Sequence, residues 1–161
     1  MPLGAEVKEN DFKSLFLDVG LVANLLGLSY VGLVSEPTAM PAKSGLLAEQ
    51  FIGQHLLYAQ APHKTPELFY WRRQSKSSNA KVDFLFPHKN QVIPVEVKSG
   101  KTGTLRSLHR FIEEKQTKIA VRFNRDVPSL HPLEAGDQQC RLISLPTYMV
   151  GQLPRLVGEN L

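Results

Sequence analysis

The sequence predicts an α/β fold in which a mixed central sheet is flanked by helices, its elements running helix, three strands, helix, strand. Three observations carry this. Residues 45–59 and 105–114 repeat apolar side chains at helical spacing. Between them lie three short apolar runs, Leu68–Arg72, Val82–Phe86 and Val92–Lys98, and a fourth, Lys118–Phe123, follows. Strands joined by a tight turn pair antiparallel, whereas strand–helix–strand favours a parallel pair, so the sheet is mixed.

Taken in order, Lys13–Asp18 reads as a short strand, after which Asp18 caps a helix over Val19–Leu26 that stops near Gly27. Residues 28–44 contain Gly32, Pro37 and Pro41 and read as an irregular connection. The chain therefore divides into an N-terminal lead, residues 1–44, and a core domain, residues 45–161. In the helix Gly45–Ala59, Glu49 falls between Ile52 and Leu56 on one side and Gly53 on the other, with Gln50 and Gln54 forming a separate polar stripe. Glu49 is either a boundary residue reaching water or an acid aimed at the sheet.

The two strands Val82–Phe86 and Val92–Lys98 set the register that matters most. With Lys89-Asn90 as a two-residue turn, His88 faces Gln91 and paired residue numbers sum to 179. Asn90 is the turn residue suited to positive φ. Asp83 then stands opposite Glu96, with Lys98 on the same face and opposite Lys81. The next helix places Leu105, Leu108, Phe111 and Ile112 together, and Arg141–Leu145 reads as a further strand. Tyr70 and Trp71 are read as core or sheet-face residues. Cys140 is read in a loop, with no role. The apolar tail Leu142–Leu156 either closes this chain's own core or forms a subunit contact in a homo-oligomer.

At 161 residues and 18.0 kDa, with 42% hydrophobic and 21% charged residues, the chain is sized for one globular core. No apolar run approaches the roughly 20 residues that cross a bilayer. The N-terminus has no secretory apolar stretch, and the lone Cys140 excludes an internal disulfide and fits a cytoplasmic protein. Neither CxxC nor HExxH occurs, so zinc sites of those types are excluded. Charge is unevenly spread. From Lys64 to Arg110 there are ten Lys/Arg and three acids, a balance of +7, which leaves 4 − 7 = −3 for the remainder. A basic segment wrapped around an acid pair suits a polyanion such as DNA, and Arg72, Arg73, Lys76, Lys81, Lys101 and Arg106 are its candidate contacts.

Buried carboxylates persist where they are paired or bind a cation. Asp83 and Glu96 side by side repel each other unless a cation lies between them. Phosphodiester hydrolysis needs an activated water and stabilised phosphate charge, which Mg²⁺ or Mn²⁺ supplies when carboxylates hold it and leave waters in place. Asp83 and Glu96 are the candidate ligands, Glu49 a third through water, and the Val97 carbonyl a further oxygen. Lys98 would act on the water or the phosphate, making Asp83, Glu96 and Lys98 the candidate catalytic set. A Lys81 facing Lys98 would lower the pKa of one of them.

Asp83…Glu96-Val97-Lys98 with the upstream helical Glu49 resembles the signature of the PD-(D/E)xK nuclease superfamily, which implies a restriction-endonuclease-like αβββαβ core. More narrowly, the strings LFLDVGLVANLLG (15–27), GLLAEQFIGQHLL (45–57), FYWRR (69–73), KVDFLF (81–86), VIPVEVKSGKTGTLRSLHRF (92–111) and LISLPTYMVGQL (142–153) are similar to an uncharacterised domain at the C-terminus of AAA-type P-loop ATPases. That resemblance covers most of the chain and implies a P-loop ATPase domain as partner, with this chain either a C-terminal portion of a longer protein or a truncated gene product. Members carry glutamate where this chain has Lys81, which removes one further metal contact. Two functions follow from the resemblance: Mg²⁺-dependent hydrolysis of DNA, or an inert nuclease-fold module for DNA binding or ATPase assembly. Gly100-Lys101-Thr102 imitates a phosphate-binding loop, but glycine is missing where Val95 stands, so no nucleotide-binding residues are assigned.

Overall fold

The computed structural model describes residues 4, 7–8, 10–28, 41–73, 79–100 and 104–161. Its elements are α1 (Val19–Leu25), α2 (Pro41–Tyr58), β1 (Phe69–Arg72), β2 (Lys81–His88), β3 (Gln91–Val97), α3 (Arg106–Lys115), β4 (Ile119–Asn124), β5 (Ser129–Ala135), β6 (Gln138–Pro146), a 3₁₀ helix (Thr147–Gln152) and α4 (Leu153–Glu159). From α2 to β4 the order is αβββαβ, as the sequence predicts. The six strands form one mixed sheet in the order β1-β2-β3-β4-β6-β5. β3 and β4 run parallel across the α3 connection, β4 and β6 are also parallel, and the other neighbours are antiparallel.

Helices cover both faces. On one side Ile52 and Leu56 of α2, with Val150, Leu153 and Val157 from the C-terminal helices, pack on Phe84, Ile93, Val95, Val121 and Phe123. On the other, Leu108 and Ile112 of α3 meet Ala120 and Leu142, while Phe111 meets Trp71 edge-on with ring centroids 5.4 Å apart. Each such fully buried side chain stabilises the fold by about 1.5–3 kcal/mol relative to exposure. The tail Leu142–Leu156 therefore closes this chain's own core. Gly53 sets the spacing of α2 from the sheet: a Cβ there would lie 2.8 Å from the Phe84 ring and 2.9 Å from Leu15.

The β2/β3 hairpin has the expected register. His88 pairs with Gln91 and Phe84 with Val95, so the numbers sum to 179. The positive φ of the turn falls on Lys89 (52°) rather than on Asn90. α1 is capped as predicted, with the Gly20 N–H donating to Asp18 Oδ1 at 2.6 Å and Gly27 following at φ 64°.

Several expectations are corrected. Residues 13–18 are not a strand: they have no ladder partner, and their backbone bonds instead to side chains of α2. The Phe16 N–H donates to Gln50 Oε1 at 3.0 Å and Gln50 Nε2 donates to the Phe16 carbonyl at 2.7 Å. Gln54 Nε2 donates to the Leu17 carbonyl at 2.6 Å. The polar stripe of α2 is thus buried under the N-terminal segment. α2 begins at Pro41, so the boundary drawn between residues 44 and 45 falls inside a helix, and only 29–40 of the expected connection lies outside the described residues. Cys140 is in β6 and buried, not in a loop. β5 is a strand beyond those the sequence pattern predicts; it is joined to β6 through Gly136-Asp137, with Gly136 at φ 58°.

Candidate metal centre

The centre is built at a defect in the sheet. Between the pairs Phe69↔Leu85 and Trp71↔Val82, β1 advances two residues and β2 three, so β2 carries a bulge at Asp83-Phe84. Val82 consequently packs with Trp71 and Phe111, whereas Phe84 packs with Ile52 and Leu56 on the opposite face. Two residues apart on a regular strand would share a face. The β2/β3 ladder ends at Phe84↔Val95, and beyond it the Asp83 carboxylate takes over, with Oδ2 accepting the Val97 N–H at 2.9 Å.

Glu96 sits in the central strand β3 with its side chain only 6% exposed. Its Oε1 accepts from Lys98 Nζ at 2.5 Å, while Oε2 is buried and has no hydrogen-bond partner among the described residues. Burial, and then the negative charge of Asp83, push the Glu96 carboxyl up to about 7 against the opposing pull of Lys98. Asp83 is raised as well, by burial first and by Glu49 second, with the Val97 N–H, Lys13 and Lys98 acting the other way. The charge of Glu49 thus bears on both Asp83 and Glu96, and Lys98, two residues along, stands on Glu96.

Glu49 approaches from α2, but it is already engaged. It pairs with Lys13 Nζ and lies 3.9 Å from Lys81 Nζ. Lys13 was not singled out in the sequence, yet it is the cation at the middle of the cluster. Its Nζ donates to the Asp83 carbonyl at 3.0 Å, lies 4.0 Å from Asp83 Oδ1 and sits 4.2 Å above the Phe84 ring. Burial lowers its pKa, with Glu49 and Asp83 opposing that shift. The lysine whose pKa burial lowers beside the acids is Lys13. Lys81 pairs with Arg72 across strands and lies 5.6 Å from the Tyr70 ring, rather than facing Lys98.

Whether these residues fit a divalent cation is decided by the oxygens left over. Among the described residues no group of three His, Cys, Asp or Glu stands ready to hold a metal. Asp83 and Glu96 alone do fit a hard cation: two neighbouring carboxylates, both made reluctant to ionise, and one buried oxygen without a donor.

Among the described residues, three of the four basic candidates, Arg72, Arg73 and Lys81, lie beside an acid. Arg72 pairs with Asp11 and Arg73 with Glu114, both at 2.6 Å, and Arg106 is exposed at the start of α3. Lys76 and Lys101 lie outside the described residues, as does most of the Gly100-Lys101-Thr102 tripeptide. The larger cavity, about 940 Å³, runs along β1 beneath the N-terminal segment and is lined by Phe12, Tyr70, Trp71 and Phe111; of the cluster it includes only Lys13. A smaller cleft of about 250 Å³ opens at Lys98, Ser99 and Arg125. The carboxylate chemistry, not the larger groove, marks the site.

Fold and site together define a mixed α/β domain whose central hairpin presents an acid pair and a lysine. The chain belongs to DUF4143, a domain of unknown function, whose family profile matches residues 44–148. No curated protein matches the sequence. The family match agrees with the uncharacterised domain that the quoted strings resemble and brings no nuclease assignment. Among the described residues no helix is long and apolar enough to cross a membrane.

Proposed function

We propose that this domain hydrolyses phosphodiester bonds in DNA with Mg²⁺ or Mn²⁺ held by Asp83 and Glu96. The supporting observation is Glu96 Oε2, a buried acceptor with no donor among the described residues, beside the half-buried carboxylate of Asp83. A cation bound at such oxygens supplies charge stabilisation for the phosphate and a more acidic water. Asp83 Oδ2, tied to the Val97 N–H, fixes the ligand carboxylate against the end of β3, and the Val97 carbonyl is a candidate further oxygen. Lys98 orients Glu96 through Oε1 and, being partly exposed, is available to a phosphate or to the attacking water. Arg72, Arg73, Lys81 and Arg106 would exchange their present partners or solvent for DNA phosphates.

The test is a calorimetric Mg²⁺ and Mn²⁺ titration of the wild type and Asp83→Ala, followed by cleavage of supercoiled and linear DNA. A saturable site lost in Asp83→Ala, with cleavage lost in Glu96→Ala, is expected; unchanged metal affinity in both variants refutes the proposal.

A second reading is favoured by Lys13, whose ammonium already compensates Glu49 and Asp83. The domain is then an inert module that binds DNA or assembles with a P-loop ATPase domain of a longer protein. DNA affinity that is independent of divalent metal and falls steeply with salt would select it.

A further inference from the structure

We propose that Lys13 is the resident cation of the acidic site: its ammonium holds the Glu49/Asp83 side of the cluster and takes the place a second divalent ion would need. The inference rests on the metal reading above for the Asp83/Glu96 side, but the placement of Lys13 stands independently of it. Glu49 and Asp83 come from α2 and β2, and the group between them is an ammonium at hydrogen-bonding distance from the Asp83 carbonyl and 4.0 Å from its Oδ1. That carbonyl belongs to a residue of the bulge, and Lys13 Nζ donates to it. The lysine side chain is 16% exposed, so it is fixed within the cluster rather than swung out into water.

The segment carrying Lys13 is anchored on both sides. Before it, Asp11 pairs with Arg72 at 2.6 Å and accepts from the Tyr70 hydroxyl. After it, Gln50 brackets both backbone groups of Phe16, and Gln54 holds the Leu17 carbonyl. A metal ion approaching Glu49 would have to displace a tethered cation whose local concentration does not fall on dilution. Among the described residues, the Asp83/Glu96 side, where Glu96 Oε2 has no donor, is what is left for an exchangeable ion. The arrangement therefore accommodates one divalent ion and disfavours two, and removing Lys13 opens the second place.

The experiment uses the whole chain and the metal alone. Mn²⁺ is titrated calorimetrically into the wild type, Lys13→Met and Lys8→Met, the last removing an exposed lysine of the same segment. In parallel, wild type and Glu49→Gln are labelled with an amine-reactive reagent and mapped by mass spectrometry. Lys13→Met is expected to bind Mn²⁺ at least tenfold more tightly or with a second ion, Lys8→Met to match the wild type, and Lys13 to label at least tenfold more slowly than Lys8 until Glu49 is neutralised. Equal affinity and stoichiometry in Lys13→Met and a metal-binding wild type would overturn the inference. Absence of Mn²⁺ binding in all three chains would sink the metal reading; the labelling then decides, with Lys13 as reactive as Lys8 refuting the placement. That readout needs no variant at position 13 to fold.

Discussion

Glu96→Gln should remove a pH dependence built into the metal-free domain. The Glu96 carboxyl moves from its ordinary 4.5 to about 7 on folding. Below pH 4.5 it is protonated in both folded and unfolded chains, and above 7 it is charged in both. Between those values the folded chain retains a proton that the unfolded chain has released, so stability falls as pH rises across that window and stays lowered above it. At 1.36 kcal/mol per pH unit, the shift corresponds to about 3 kcal/mol, an upper bound for a carboxylate that interacts with Asp83. Glutamine keeps the shape and removes the titration. It also replaces the ion-paired bond from Lys98, which is 28% exposed and can turn to water, with a weaker bond to an amide oxygen, a loss of about 1 kcal/mol. Urea unfolding of wild type and variant in EDTA, from pH 4 to 8.5, gives the difference directly. The variant is expected to be less stable than or equal to the wild type near pH 4.5 and more stable by up to roughly 2 kcal/mol at pH 8. A difference independent of pH would refute the account of Glu96 as a carboxylate destabilised by burial.

Two further outcomes test packing and the thiol. Gly53→Ala drives a methyl against the Phe84 ring and Leu15 and should cost about 1–3 kcal/mol in unfolding free energy, with faster amide exchange at Phe16 as the N-terminal segment loosens; a neutral substitution would show that α2 has room to retreat. Cys140, whose thiol burial pushes up to about 12, should resist a disulfide reagent at pH 8 until the chain unfolds, and prompt native-state labelling would contradict its burial in β6.

Most of the sheet was legible because local pattern and topology agree there. Val92–Lys98 and Lys118–Phe123 are short apolar runs on either side of a strongly periodic helix, and a parallel pair is the regular outcome. The turn at Lys89-Asn90 fixed the β2/β3 register by counting alone. β5 was missed because His131, Pro132 and Glu134 dilute its apolar pattern, although Gly136-Asp137 is a two-residue hairpin signal that was available. Lys13–Asp18 has strand-like composition, but its backbone bonds to the side chains of Gln50 and Gln54 rather than to a strand edge, so tertiary contacts decided its form. The acid pair was visible as charge inside apolar runs. Lys13 was not, since its partners Glu49 and Asp83 lie 36 and 70 positions away and no spacing rule connects them. The bulge was equally invisible, because it exists only as a mismatch between two strands.

That mismatch has a consequence for how the site tolerates change. The extra residue in β2 offsets it from β1 alone, while its pairing with β3 stays regular from Phe84 to His88. The aim of Asp83 is therefore held in a difference of length between neighbouring strands, not in the identity of any one side chain of β1. Exchanging Phe69 or Trp71 for other strand formers would leave that offset in place. Shortening β2 by a single residue between Val82 and Leu85 would erase it, keeping nearly the whole composition of the domain while turning its central carboxylate out of the cluster.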